Sequence, residues 1–360
     1  MAAIDTPKNQ VLIDYPADFI TRWELGTGKM AQNKGVEEIA VVFTGGTIGM
    51  EPREGGEGVV PAGDFDRLMD ELGLDHRGVR LRPVAWGDRP SPHMTPRLMF
   101  QLAKDVDDIL GEPSVRGAVV LHGTDVMVES AFMADLTVLS PKPVVFTGSM
   151  RFISELGYDG IRNLYGGIHA CLLPVPPELG VLVLMTDRLF SAREAVKINS
   201  LNIDAFESPE AGPVGYIVDD QVLLTRRSVD RHAAVKAWDI EENIPLVTCF
   251  TGMDGSLIEH LVGQEVKGLV IEAFGAGNVP PAIVPALEKA VGQGIPVVVA
   301  TRSLEGGVWP IYAYPGGAVD LRERGAILAG RLSGPKARLL LMVALALTDD
   351  VREIKRIFSY

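Results

Sequence analysis

Cysteine is scarce in this chain: Cys171 and Cys249 are the only two among 360 residues. Both sit in apolar contexts and lack C-x-x-C spacing. That excludes a disulfide framework and a cysteine-based metal knuckle, and both are expected as buried core thiols. Basic residues are in the minority, 34 Lys and Arg against 47 Asp and Glu, for a formal net charge of −13. No basic stripe offsets this, which excludes nucleic acid as a direct ligand, because phosphate contacts need clustered cations. Long apolar runs are missing too. Nowhere do about 18 apolar residues follow one another, so no membrane span is expected. Residues 1–34 carry acidic and polar side chains throughout and lack the apolar stretch of a signal peptide. A hydrophobic content of 47% beside 22% charged residues is that of an ordinary globular chain. A soluble, reduced, cytoplasmic protein is expected.

Apolar runs alternate with helix-like patterns, which predicts an α/β fold with parallel strands. Residues 39–43, 117–121, 143–147 and 181–185 read as successive buried strands, with a helix over 126–139. The stretch Glu207-Ser208-Pro209-Glu210-Ala211-Gly212-Pro213 breaks the pattern. A short hairpin strand at 214–218 and a polar connecting stretch follow. A second α/β unit then starts near Pro245, with strands at 246–250, 268–272 and 295–300 and a helix at 283–291. Two helices, 335–347 and 349–358, close the chain, the second capped by Thr348 or Asp349. The expected layout is an extension (1–36), a larger domain (37–218), a linker (219–244) and a smaller α/β domain (245–360), enough chain for two cores.

Two glycine-anchored threonine motifs carry the chemistry. Thr44-Gly45-Gly46-Thr47-Ile48-Gly49 directly follows the first run, and His122-Gly123-Thr124-Asp125 directly follows the second. Each places a threonine just past the carboxyl end of a buried parallel strand, the edge where open α/β sheets bind ligands. A threonine hydroxyl is a weak nucleophile and needs a base within hydrogen-bond reach. Thr124-Asp125 offers a hydroxyl and a carboxylate, and a lysine would complete a proton relay. Taken singly, either threonine reads equally well as a helix cap. Between Gly49 and Phe65 the glycine-rich, charged stretch Met50-Glu51-Pro52-Arg53-Glu54-Gly55-Gly56-Glu57-Gly58 has no apolar period and is expected to form a mobile lid.

In order along the chain, the two motifs are followed by Lys142-Pro143-Val144-Val145-Phe146-Thr147-Gly148-Ser149-Met150, Asp159-Gly160 with Asn163, and Arg193-Glu194-Ala195-Val196-Lys197. Gly275-Ala276-Gly277-Asn278 and Pro335-Lys336-Ala337-Arg338 complete the series. From Ile39 to Phe358 the sequence thus resembles the bacterial-type L-asparaginase family, nearer its cytoplasmic type I branch. The resemblance implies a two-domain fold, with a larger, mostly parallel N-terminal sheet flanked by helices and a smaller C-terminal α/β domain. It implies hydrolysis of a side-chain carboxamide through a threonine acyl-enzyme, without metal or organic cofactor. Thr47 matches the nucleophile; Thr124, Asp125 and Lys197 match the relay, Asp125 also meeting the substrate's α-amino group. Ser91 matches a residue holding the α-carboxylate, while Gly46 and Gly123 stand where backbone approaches the ligand. Asn278 matches a residue reaching across a subunit interface, which implies a homodimer or homotetramer. A small-molecule amide is the implied partner, with neither nucleic acid nor membrane.

Three departures qualify the match. Counting from Gly58-Val59-Val60-Pro61, Val59 stands where the family lid carries a tyrosine that assists the nucleophile. Pro92 and His93 replace a polar residue and an acid after Ser91, and the lid is longer than in type I. His93 is therefore a candidate substrate-site residue and base, against the plainer reading of a loop histidine. Tyr15, Tyr158 and Tyr165 are the candidates for a substitute phenol, with Tyr158 expected. Hydrolysis of another amide, a lactam or a lactone is the alternative reading, and a non-catalytic amino-acid binder is a third.

Overall fold

The computed structural model describes residues 36–53, 57, 59–61, 69, 75–76, 78–173, 176, 179–227 and 234–359, all within the compact unit Val36–Tyr360. The extension with its apolar Ile20, Trp23 and Leu25, the candidate Tyr15, and residues 54–56 and 58 of the expected lid lie outside the described residues.

The first strand, Glu38–Phe43, is buried throughout except at its first residue. A β-branched run with no exposed face needs cover on both sides, and the sheet built around it has that cover. In spatial order the large sheet runs Gln221–Leu224, Gly215–Val218, Arg188–Ser191, Leu182–Met185, Val144–Thr147, Val115–Leu121, Glu38–Phe43, Val79–Ala85, Asp75–His76. The five strands from Leu182–Met185 to Val79–Ala85 are parallel. The remaining strands add antiparallel hairpins at the edges. Alternate side chains face opposite layers. Ala40, Val42, Ala118 and Val120 pack with Phe100 and Phe132 of the helices Pro96–Leu110 and Met127–Thr137. Ile39, Val41, Val119 and Leu121 pack with Leu164 and Ile168 of the helix Gly160–Leu172.

A second sheet of four parallel strands runs Leu246–Thr248, Leu269–Ala273, Val297–Thr301, Ile327–Ser333. One face carries the helices Ser256–Gly263, Val284–Gly292 and Ala318–Glu323. Against the other lies Gly334–Leu347, whose Leu340 and Met342 belong to the same buried cluster as Met127 and Phe132 of the first layer. The two sheets therefore share one hydrophobic core.

Some elements depart from the sequence reading. The strand Gln221–Leu224 falls inside the stretch expected to be a linker, where it pairs with Gly215–Val218. The last helix, Val351–Ile357, is capped by Asp350, whose side chain accepts from the Arg352 N–H. Thr348 instead accepts from the Asp350 N–H at 3.1 Å. Both cysteines are buried. Among the described residues no helix is long and apolar enough to cross a membrane.

Candidate active site

Both threonine motifs leave adjacent strands at the same edge. Thr44 laces the two strand ends together, its N–H and its hydroxyl both donating to the Leu121 carbonyl at 3.0 and 2.9 Å. The chain then turns through Gly45 and Gly46, with φ of 104° and 98°, a region side-chain-bearing residues rarely adopt. A Cβ on Gly46 would stand 2.4 Å from both the Cα and the N of Gly123. The two motifs thus meet backbone to backbone, and no substituted residue fits between them. A single 3-10 turn, Thr47–Gly49, follows, closed by the Gly49 N–H on the Gly46 carbonyl at 3.1 Å. Thr47 is half-buried on that turn.

On the second motif, Thr124 is 6% exposed. Its hydroxyl accepts from Lys197 Nζ at 2.9 Å, and the same ammonium reaches Asp125 Oδ1 at 2.7 Å. Lys197 lies 73 residues from Thr124 in sequence. It arrives on the short strand Val196–Lys197, paired antiparallel with Phe206–Glu207. The Lys197 side chain is 13% exposed and that of Asp125 60%, so the amine is sheltered while the carboxylate faces solvent. Ser91 is buried and accepts from the Asp125 N–H at 3.1 Å. A Cβ on Gly123 would stand 2.7 Å from Ser91 Cβ. Thr47, Gly46, Ser91, Gly123, Thr124, Asp125 and Lys197 are thereby linked through direct contacts or shared turns.

Two expected residues are not joined to this group. His93 shares the 3-10 turn Ser91–His93 but is exposed, whereas Ser91 is turned inward. Asn278 sits after the strand Leu269–Ala273, its backbone bonds closing the Phe274–Asn278 loop and its Oδ1 buried without a partner. The stretch Asp159-Gly160 with Asn163 has a supporting geometry. Asp159 accepts from the Met150 and Arg151 N–H groups, and Asn163 donates to Asp159 and to the Gly148 carbonyl. Tyr165 packs on His169 at a ring separation of 4.3 Å.

Two buried groups shape the electrostatics. Burial pushes the His122 imidazole down to about 4, against the opposing pull of the Gly123 carbonyl. The ring is therefore neutral, and its Nδ1, 2.7 Å from that carbonyl, is the protonated nitrogen. Lys336 went unrecognised as a supporting residue in the sequence. It opens the helix Gly334–Leu347, is 3% exposed, and donates to the Arg193 and Ala195 carbonyls at 2.8 and 2.6 Å. Those carbonyls immediately precede Val196–Lys197, so the C-terminal domain holds the segment that delivers Lys197. Burial, helped by the Arg193 charge, pushes Lys336 down to about 7. Among the described residues no group of three His, Cys, Asp or Glu side chains is placed to hold a metal ion.

A two-domain α/β protein with threonine motifs at adjacent strand ends and a lysine between hydroxyl and carboxylate has the architecture of an amidohydrolase. Residues 38–230 match the family model described as asparaginase, N-terminal, and residues 243–358 that of the glutaminase/asparaginase C-terminal domain. The chain belongs to the asparaginase family. It is 35% identical to a probable L-asparaginase of Deinococcus radiodurans, over 89% of this chain and 97% of that one. It is 31% identical to an L-asparaginase of Bacillus licheniformis, over 86% and 96%. Its fold is similar to the crystal structure of a probable cytoplasmic L-asparaginase from Campylobacter jejuni, with a TM-score of 0.79 and 30% identity. That likeness covers 89% of this chain and 99% of the other.

Proposed function

We propose that the protein hydrolyses the side-chain amide of L-asparagine to L-aspartate and ammonia, with Thr47 as nucleophile. The observation that carries this reading is the Lys197 ammonium bridging Thr124 and Asp125, beside the backbone contact of Gly46 with Gly123. The Thr47 oxygen attacks the carboxamide carbon and its proton passes through the Lys197–Thr124 relay to the departing nitrogen. The C–N bond breaks, ammonia leaves, and an acyl-threonine remains. Water then adds to the ester and releases the acid, the relay moving the proton back. Backbone N–H donors near Thr124 would stabilise the developing oxyanion, each such donor contributing about 3 kcal/mol in comparable sites. The solvent-facing Asp125 carboxylate receives the substrate's α-ammonium, and Ser91 lies where its α-carboxylate docks. No step calls for a cofactor.

The catalytic set lies in a domain spanning 37–218, whose sheet continues into Gln221–Leu224, and the rest of the stretch to 244 joins it to a domain spanning 245–360. Asn278 lies outside the intrachain group, which supports a homodimer or homotetramer in which a neighbour's copy reaches the site. The likeness to a relative described as cytoplasmic supports residence in the cytoplasm. The test is ammonia release from L-asparagine by the wild-type protein and by Thr47→Ala. Release by the first and none by the second is expected. A folded wild type that releases none sinks the reading and redirects the assay to other amides, lactams and lactones.

A further inference from the structure

The turn that carries Thr47 is held from two sides. On one side Gly46 rests against Gly123. On the other the Tyr158 hydroxyl donates to the Ile48 carbonyl at 2.8 Å, across 110 residues of sequence. Ile48 is fully buried and adjoins Thr47 on the same 3-10 turn. A buried carbonyl needs a donor, and here the phenol supplies it.

The phenol's own position is built in. A Cβ on Gly160 would stand 2.1 Å from the Tyr158 hydroxyl and 2.3 Å from Cζ, so the ring tip folds into a notch that only glycine leaves open. The loop before it is tied down at both ends. Asp159 accepts from the Met150 and Arg151 N–H groups, while Arg151 donates to the Leu156 and Gly157 carbonyls. Tyr158 also packs against the cluster that contains Ile48 and Phe43. A side chain so restrained transmits the position of the loop after Val144–Thr147 to the turn at the end of Glu38–Phe43.

We propose that Tyr158 is a positioning residue for the nucleophile. Its hydroxyl, fixed by Gly160 and bonded to Ile48, holds the turn in the orientation that aims the Thr47 oxygen at the substrate carbonyl. The proposal rests on Thr47 as nucleophile. Misplacement of a reacting group by a fraction of its diameter lowers turnover steeply while leaving ground-state binding in place.

The experiment compares Tyr158→Phe, which keeps the ring and removes the hydroxyl, with wild type and with Thr137→Val. The control also loses a hydroxyl bonded to a backbone carbonyl, that of Met133, away from the site. Two readouts are taken: kcat and KM for L-asparagine, and amide hydrogen exchange of a peptide covering residues 44–50. Tyr158→Phe is expected to lower kcat by about 10- to 100-fold with little change in KM, and to speed exchange in that peptide. Thr137→Val is expected to do neither. Unchanged exchange at 44–50, unchanged kcat, or equal kcat losses in both variants overturns the proposal. Faster exchange in Tyr158→Phe beside a wild type inert toward L-asparagine leaves the anchoring in place and sinks the substrate reading instead.

Discussion

Removing the Lys336 amine should erase a rise in stability between pH 7 and 8.5. Burial lowers this lysine from an ordinary 10.5 to about 7. The neutral amine has two N–H groups, matching the two carbonyls it contacts. Between the two values the unfolded chain holds a proton that the folded chain does not. Stability therefore increases with pH across that window, and it is lost as pH falls toward 7. From pH 7 to 8.5 the linkage amounts to about 1.5 kcal/mol. Stopping at 8.5 limits the opposite trend from Cys171 and Cys249, whose thiols burial pushes up; unfolded thiols ionise first and favour unfolding at higher pH, equally in wild type and variant. Urea unfolding of wild type and Lys336→Met at both pH values measures the effect. Wild type should gain about 1.5 kcal/mol more than the variant. At pH 8.5 the variant should also be less stable by a few kcal/mol, on the order of 1–3 for each carbonyl left without its donor. Equal pH slopes in the two proteins would refute the buried, neutral assignment.

The remaining predictions concern the two motifs themselves. His122, held near 4 against an ordinary 6.5, makes the fold acid-labile: stability is lost as pH falls through that window. His122→Phe should shrink the loss between pH 6.5 and 4.5 by about 2 kcal/mol in urea titrations; an unchanged acid slope would count against it. Gly46→Ala must place a Cβ 2.4 Å from Gly123 at a φ of 98°. It should retain its far-ultraviolet circular dichroism yet lose at least about 100-fold in turnover, and near-normal activity would show that the motifs do not have to touch.

The first sheet was legible because its central strands are unbroken apolar runs, Ile39 to Phe43 and Ala118 to Leu121, each followed two residues on by a glycine. Strands with one exposed face were not. Val79–Ala85 alternates buried and open positions around Pro83, and Ile327–Ser333 is interrupted by Gly330, which takes a positive φ. The helix Pro96–Leu110 is announced only by its Thr95 cap and first-turn proline, a signal of two residues rather than an apolar run. At the site, local spacing located both threonines, whereas Lys197 rested on family resemblance, since nothing local tells a lysine which strand edge it will reach. Tyr158 was singled out as a phenol for the site, and the structure puts its hydroxyl on the carbonyl next to Thr47. Whether it acts there is what the substitution tests. The use of Lys336 was illegible because its partners are two main-chain carbonyls of another domain.

That interdomain clamp has a consequence for biosynthesis. Thr47, Thr124, Asp125 and Lys197 have all been translated before the chain reaches residue 200, yet the helix that holds the Lys197 segment begins at Gly334. Under the proposed mechanism, the nascent protein carries every reactive group long before it has the brace that sets the last of them. Competence arrives only near the end of synthesis. A premature stop or a proteolytic cut between the two domains should therefore leave a fragment with the full proposed catalytic set and little activity.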